Sequence, residues 1–229
     1  MNATLPNNSG ITIITCTKRA LNIHHLLRNY RRQLWRRKEL IVILNHNKLP
    51  LHVYEKAAKQ VPQVSVYQLS ESISLGECLN FGVSRARYEY IAKFDDDDYY
   101  APSYLTDCMR VMKQTEADVV GKRSHYIWLQ GSNALILRKV PSPFLLPGAT
   151  LFIKKRVFHK VRFSRRNAGE DDQFCRDCRA KGFKLVSAGK SHFIAVRHSQ
   201  NNHTWRISDR ELLSHPQNRL VAFLKNSYA

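Results

Sequence analysis

Tyr90-Ile91-Ala92-Lys93-Phe94-Asp95-Asp96-Asp97-Asp98-Tyr99-Tyr100 is the stretch whose reading decides the fold. Its first five residues, apolar apart from one lysine, read as a buried strand. Four adjacent carboxylates follow where that strand leaves the sheet. They repel one another, and no packed core would neutralise them, whereas a divalent cation would. In open α/β sheets ligands gather at the carboxyl ends of strands, so the acids mark a ligand site. A backbone that stays extended sends Asp95 and Asp97 to one side, Asp96 and Asp98 to the other. Such an Asp-x-Asp pair offers hard oxygen ligands for Mg²⁺ or Mn²⁺, shared with substrate phosphates. The plain alternative is an acidic surface turn, and the scarcity of acids elsewhere argues against it.

That scarcity is large: 37 Lys and Arg face 18 Asp and Glu among 229 residues, a formal net charge of +19. The length suits one α/β domain over residues 1–229. A hydrophobic share of 43% excludes a disordered chain. The excess charge calls for a polyanionic neighbour, whether nucleic acid, an anionic membrane face or a phosphate-rich substrate. Residues 1–10 are polar, and no apolar run approaches the ~20 residues of a membrane span, so the expected compartment is the cytoplasm. Cys16, Cys78, Cys108, Cys175 and Cys178 are scattered and odd in number, which suggests free thiols in a reducing compartment. Cys175 and Cys178 have zinc-like spacing, but no second pair matches them.

Around the acidic run, residues 11–16 read as a first strand and residues 20–34 as a helix. The core face of that helix falls on Ile23, Leu27, Tyr30 and Leu34. A strand over 39–44, a helix near 50–60, a strand near 63–68 and a helix from Leu75 to Arg85 follow. Strands alternating with helices, the strands near-continuously apolar, argue a mostly parallel sheet covered on both faces. Residues 10–100 thus form a nucleotide-binding half, and residues 101–229 an acceptor and catalytic half. There the pattern predicts a helix near 103–114, β-rich sequence to 137 and a strand over 147–153. A helix from Gly169 to Lys181, stopped by Gly182, comes next. Strands near 183–187 and 192–197 and a final amphipathic helix near 209–225 complete the reading.

Glu170-Asp171-Asp172 opens that helix of the second half. Acids at a helix start cap N–H groups and complement the dipole, which is explanation enough for one cluster alone. Paired with the strand-end cluster, they suit a metal-assisted displacement in which a second carboxylate takes a proton from an incoming hydroxyl.

The ordered set of motifs resembles the family 2 glycosyltransferases of the GT-A fold. The pieces are Ile11 to Arg19, Glu39 to Asn45, Leu75 to Gly82, Tyr90 to Asp98, Gly148-Ala149-Thr150, and Gly169 to Phe183. The resemblance implies an α/β GT-A domain with a Rossmann-like central sheet. It also implies metal-dependent transfer, with inversion, from a nucleotide-diphosphate sugar (a UDP-sugar foremost) to a hydroxyl on a glycan, glycolipid or peptide. Thr15, Thr17 and Arg19 would border the nucleobase and ribose, and Asn45 would face the base. Gly76 and Asn80, with Gly148 and Thr150, would adjoin the donor. Asp95, beside Asp96, would hold the ribose or a metal-bound water, and Asp97 would ligate Mn²⁺ or Mg²⁺. Asp171 would be the general base, flanked by Glu170 and Asp172, with Asp172 the alternative by proximity. The family usually has an acid where Asn45-His46-Asn47 stands, which leaves the base open. His198 and His203, in the polar segment after the last short strand, are the candidate histidine ligands to the metal, His198 preferred.

Two other functions compete. A basic nucleic-acid-binding module would interleave cations with exposed aromatics. Arg31 to Lys38, with Trp35 among its cations, supplies a little of this, yet the acidic motifs would repel phosphate without metal. A metal-dependent nuclease or nucleotidyltransferase would also use paired carboxylates. Nucleic acid is therefore not the expected partner. The acid-free stretch from Arg28 to Lys38 instead predicts docking on an anionic membrane surface, peripheral to its inner face.

Overall fold

The computed structural model describes residues 9–19, 23–198 and 207–223. In the first half, β1 (Ile11–Thr17), β2 (Lys38–Leu44), β3 (Val64–Gln68) and β4 (Tyr90–Lys93) alternate with α1 (Ile23–Arg32), α2 (Leu51–Ala58) and α3 (Leu75–Arg85). The second half carries β5 (Tyr99–Tyr100), α4 (Tyr104–Thr115), β6 (Val119–Gly121), β7 (Ser124–Leu129), β8 (Ala134–Lys139) and β9 (Phe152–Lys154). It ends with α5 (Glu170–Ala180), β10 (Leu185–Ser187), β11 (Phe193–Arg197), α6 (Asp209–Ser214) and β12 (Arg219–Phe223).

Seven strands form the central sheet in the order β10-β6-β9-β4-β1-β2-β3. All its pairings are parallel except those of β9, which runs antiparallel to β4 and β6. The apolar strands explain the layering. Ile11, Ile13, Leu40, Val42 and Ala92 point to one face and pack under α1 and α4 through Leu27, Tyr30, Tyr104 and Met109. Ile14, Ile41, Ile43 and Ile91 point to the other, under α3 and α5 through Leu79, Val83 and Phe174. Alternate residues of one strand thus serve two cores, so both faces are covered. Each such fully buried Ile or Leu stabilises the fold by roughly 1.5–3 kcal/mol. At the entry to α3, Ser74 and Glu77 form a reciprocal capping box, each side chain accepting from the other's backbone N–H. A second sheet, β12-β8-β7-β11-β5, flanks the first. All five cysteines are free thiols.

Four expectations are corrected. Residues 147–153 are not one strand: Gly148–Thr150 is a 3₁₀ turn and the strand begins at Phe152. Thr150 Oγ1 donates to the Pro147 carbonyl at 2.8 Å, a side-chain bond that competes with the ladder. The final helix stops at Ser214 rather than 225, because Pro216 disfavours helix at His215. Residues 219–223 then pair antiparallel with β8. Leu34 is not core: α1 ends at Arg32, and Leu34 is 65% exposed. Trp35, expected among surface cations, is buried and donates from Nε1 to the Ser9 carbonyl at 3.0 Å.

Candidate active site

From β1 the chain steps outward through β2 and β3, then returns to β4 on the other side of β1. The order reverses between β1 and β4, the switch point where open α/β sheets bind ligands. Ile14 and Lys93 are the last pair between β1 and β4, so the end of β1 with Arg19 beyond it and Asp95–Asp98 run on side by side. Asn45 follows β2 at the same edge, its N–H donating to the Thr17 carbonyl at 2.8 Å.

The Arg19 guanidinium closes this edge. Its Nη1 lies 2.8 Å from Asp96 Oδ1 and 2.7 Å from Asp97 Oδ2. Thr17 Oγ1 donates to Asp96 Oδ2 at 2.5 Å, while accepting from the Arg19 N–H at 3.0 Å. Asp96 and Asp97 therefore share one cation, and the expected side-by-side alternation of the four acids does not hold. Residues 96–98 bend instead of staying extended. The bend is pinned at Asp98, which accepts from the Val196 N–H at 2.9 Å through Oδ1. Its carbonyl takes Asn29 Nδ2 at 2.8 Å and contacts His25 Nε2 at 2.7 Å. Burial, and then the charge of Asp97, push Asp98 well above the usual carboxylate range. The same causes, against Arg19 and Thr17, push Asp96 up to about 6.

Lys93 is the site residue that pattern reading missed. It sits on β4 only 5% exposed, its ammonium paired with Asp95 Oδ1. Burial opposes its charge, but Asp95, Glu170 and Asp171 together hold its pKa above the ordinary lysine value. One buried cation therefore stands between the strand-end acids and the helix-start acids. A lone lysine within an apolar strand was the available signal, since Lys is almost never buried unless paired.

At the start of α5, Asp171 Oδ2 accepts from the Gly148 N–H at 2.7 Å and Oδ1 from the Asp172 N–H at 2.9 Å. A Cβ at position 148 would lie 2.9 Å from Asp171 Oδ2, so this contact needs glycine. Glu170 is buried and its pKa is raised by desolvation, with Lys93 opposing. Burial also raises Asp172, and Asp171 adds to it. Arg138 of β8, a second unanticipated residue, lies within electrostatic reach of Asp171 and Asp172.

The remaining candidates divide. Thr15 is buried in β1. Thr150 accepts from the Lys122 N–H at 2.9 Å and is fully buried behind the turn. Asn80 uses both ends of its amide on Phe163, donating to the carbonyl at 2.8 Å and accepting from the N–H at 3.0 Å. Gly76 lets the same loop approach, since a Cβ there would fall 1.8 Å from the Ser164 carbonyl oxygen. In this arrangement both fasten α3 to the segment that leads into α5. Asn45 Nδ2 donates to the Ser70 and Ile73 carbonyls at 2.7 and 3.1 Å, which fixes the amide's orientation. Its Oδ1 is buried without a hydrogen-bond partner.

His198 follows β11, exposed, with Nδ1 on Gln130 Oε1 at 2.7 Å. Desolvation lowers its pKa, Asp97 opposes this, and Arg19 and His25 add to it, so the ring lies in the field of the Asp97 site. His203 lies outside the described residues. Among the described residues no three His, Cys, Asp or Glu side chains gather as a metal cage, at Cys175 and Cys178 or elsewhere. Mg²⁺ and Mn²⁺ sites that lean on substrate phosphates use one or two carboxylates and need no such cage. Grooves of about 790 and 460 Å³ lie elsewhere, against α1 and α2 and around Lys113 and Lys154. Charge, not enclosed volume, marks this site. No helix among the described residues is long and apolar enough to cross a membrane.

Known proteins share this fold. The sequence model described as glycosyl transferase family 2 matches residues 11–168. The crystal structure of Staphylococcus aureus TarS residues 1–349 is similar at 20% identity and TM-score 0.61, covering 82% of this chain and 60% of that one. The same TarS segment in complex with UDP-GlcNAc is similar at 19% identity and TM-score 0.61, covering 82% and 59%. The mannosyltransferase PcManGT from Pyrobaculum calidifontis, in complex with GDP-Man and Mn²⁺, gives 16% identity and TM-score 0.63, covering 86% and 60%. The chain thus spans about three fifths of the length of these structures. No curated protein sequence matches it. With five of the six motifs in order along the matched region and the carboxylates at the switch point of a GT-A sheet, the chain belongs to glycosyl transferase family 2.

Proposed function

We infer that this protein transfers a hexosyl group from a nucleotide-diphosphate sugar to a hydroxyl on a glycan, glycolipid or peptide, with inversion at the anomeric carbon. The observation that carries this reading is the Arg19–Asp96–Asp97 cluster at the switch point, with Asp171 held on Gly148 and tied electrostatically to the strand-end acids through Lys93 and its partner Asp95. The donor set, with Asp97 foremost, Asp95 next and the His198 imidazole in the same field, suits Mn²⁺ or Mg²⁺. Such an ion, once bound, would neutralise the diphosphate leaving group. Desolvation lowers the His198 pKa, which favours the neutral ring that can ligate.

The chain's own residues supply the rest. Arg19 orders Asp96 and Asp97 and would turn to phosphate as the donor enters, since guanidinium forks bind phosphate bidentately. Asn45 Oδ1, an unmade buried hydrogen bond that costs about 1–3 kcal/mol, would accept from an imide N–H of the base. That acceptor suits a pyrimidine with an imide N–H, uracil or thymine alike, and a UDP-sugar is the donor we put foremost. Asp171, its carboxylate oriented by the N–H groups of Gly148 and Asp172, would take the acceptor's hydroxyl proton. Lys93 would hold the charge of Asp171 in place without sharing its proton.

The test is a hydrolysis panel. UDP-, GDP- and dTDP-sugars are incubated with Mn²⁺, and free nucleoside diphosphate is quantified with and without EDTA. The account expects chelator-sensitive release from one nucleotide class, UDP foremost. Absence of release from every donor, beside cleavage of a nucleic acid under the same conditions, would overturn it.

A further inference from the structure

The basic face at residues 28–38 plays no part in holding the carboxylates. On α1, His25 and Asn29 reach back to the Asp98 carbonyl. On another side of the helix, His24, Arg28, Arg31 and Arg32 line an open groove of about 790 Å³ against Gln60, just beyond α2. Arg31 is steadied by the Gln60 carbonyl at 3.1 Å, and Arg32 lies over the Tyr99 ring at 4.7 Å. Among the described residues no carboxylate lies within ion-pair distance of Arg28, Arg31, Arg32 or Arg36. An ordinary solvated helix face mixes signs; this one presents guanidinium groups with no counter-charge.

Exposed apolar side chains follow these cations along the chain and on the neighbouring helix. Leu34, between Arg31 and Arg36, is 65% exposed, and Val53, one turn before Ala57 on the groove side of α2, is 41% exposed. Arginines alone would suit any polyanion. Arginines around exposed leucine and valine suit a bilayer interface, where cations meet lipid phosphates and apolar groups enter the headgroup boundary.

We propose that the α1–α2 face is a docking surface for an anionic lipid bilayer, with lipid phosphates in the groove and Leu34 in the headgroup layer. Docking there is independent of the donor chemistry. It holds the acidic edge beside the membrane, because the same helix carries His25 and Asn29 against Asp98.

The full chain is sedimented with phosphatidylglycerol vesicles and with phosphatidylcholine vesicles at low and high salt. Binding to the anionic vesicles only, weakening with salt, is expected. The triple variant Arg28→Gln, Arg31→Gln, Arg36→Gln should lower the partition coefficient on the order of 10²–10³-fold. Leu34→Ser, with every charge intact, should lower it roughly tenfold. Both variants should bind UDP with Mn²⁺ as the unaltered protein does, which separates failure of docking from failure of the donor site. Equal sedimentation of the unaltered protein and the triple variant would overturn the proposal. So would equal binding to phosphatidylcholine, or an effect of the arginines on polyphosphate or single-stranded DNA with none of Leu34→Ser on vesicles.

Discussion

Replacing Lys93 with methionine keeps the length of the side chain and removes its charge. Asp95 then loses its partner, and Glu170 and Asp171 lose the cation between the two acidic clusters. Breaking a buried ion pair from one side costs about 3–5 kcal/mol. Lys93 has a side chain only 7% exposed, but that of Asp95 is 40% exposed, so water answers part of the stranded charge. The expected loss is accordingly about 2–3 kcal/mol, a fall in Tm of roughly 4–12 °C for a chain of this size. The pH dependence follows from the direction of the shift. Lys93 is held above its ordinary value, so its stabilisation is fully present below that value. The deficit of the variant should be level through neutral pH and shrink on acidification, as Glu170, whose pKa burial raises, takes up its proton and no longer needs the cation. Thermal unfolding followed by circular dichroism across that range measures it. An unchanged Tm at neutral pH, or a deficit that does not narrow on acidification, would refute the role given to Lys93.

Asp171→Asn should bind donor normally and lose transfer by about 10²–10⁴-fold, because an amide cannot accept the proton. Its amide oxygen can still accept from one of the two N–H groups, so folding should survive; a dead Asp172→Asn beside an active Asp171→Asn would move the base by one residue. Asp96, pushed up to about 6, keeps its proton in the native state to a higher pH than in the unfolded chain. Stability should therefore fall as pH rises from about 4 to about 6 and level off above. Asp96→Asn should gain on the unaltered protein by about 2–3 kcal/mol across that window in urea titrations; a flat difference would contradict the assignment.

The parallel half of the molecule was legible because its strands carry apolar residues on both faces, as in Ile11 to Ile14 and Leu40 to Leu44. The helix from Leu75 and the glycine stop at Gly182 were equally plain. What escaped pattern depended on distant partners. Residues 219–223 form a strand because β8 offers an edge, and Pro147 to Thr150 turn because a threonine hydroxyl bonds back. At the site, the four acids at a strand end were readable from position, while Thr17, Arg19 and Asn45 beside them came from the family resemblance. The division of labour within it was not. Asp98 turns inward because a β11 N–H waits there, Asn80 is taken up by Phe163, and Lys93 reads as strand filler until the two acidic clusters are seen around it.

The central claim is that the Asp-x-Asp edge binds a nucleoside diphosphate through a divalent ion at Asp97. Isothermal titration of UDP into the unaltered protein and into Asp97→Asn, each with Mn²⁺ and with EDTA, tests it directly. The account predicts Mn²⁺-dependent binding by the unaltered protein that is abolished in Asp97→Asn. Binding by the variant with undiminished Mn²⁺ dependence would contradict it.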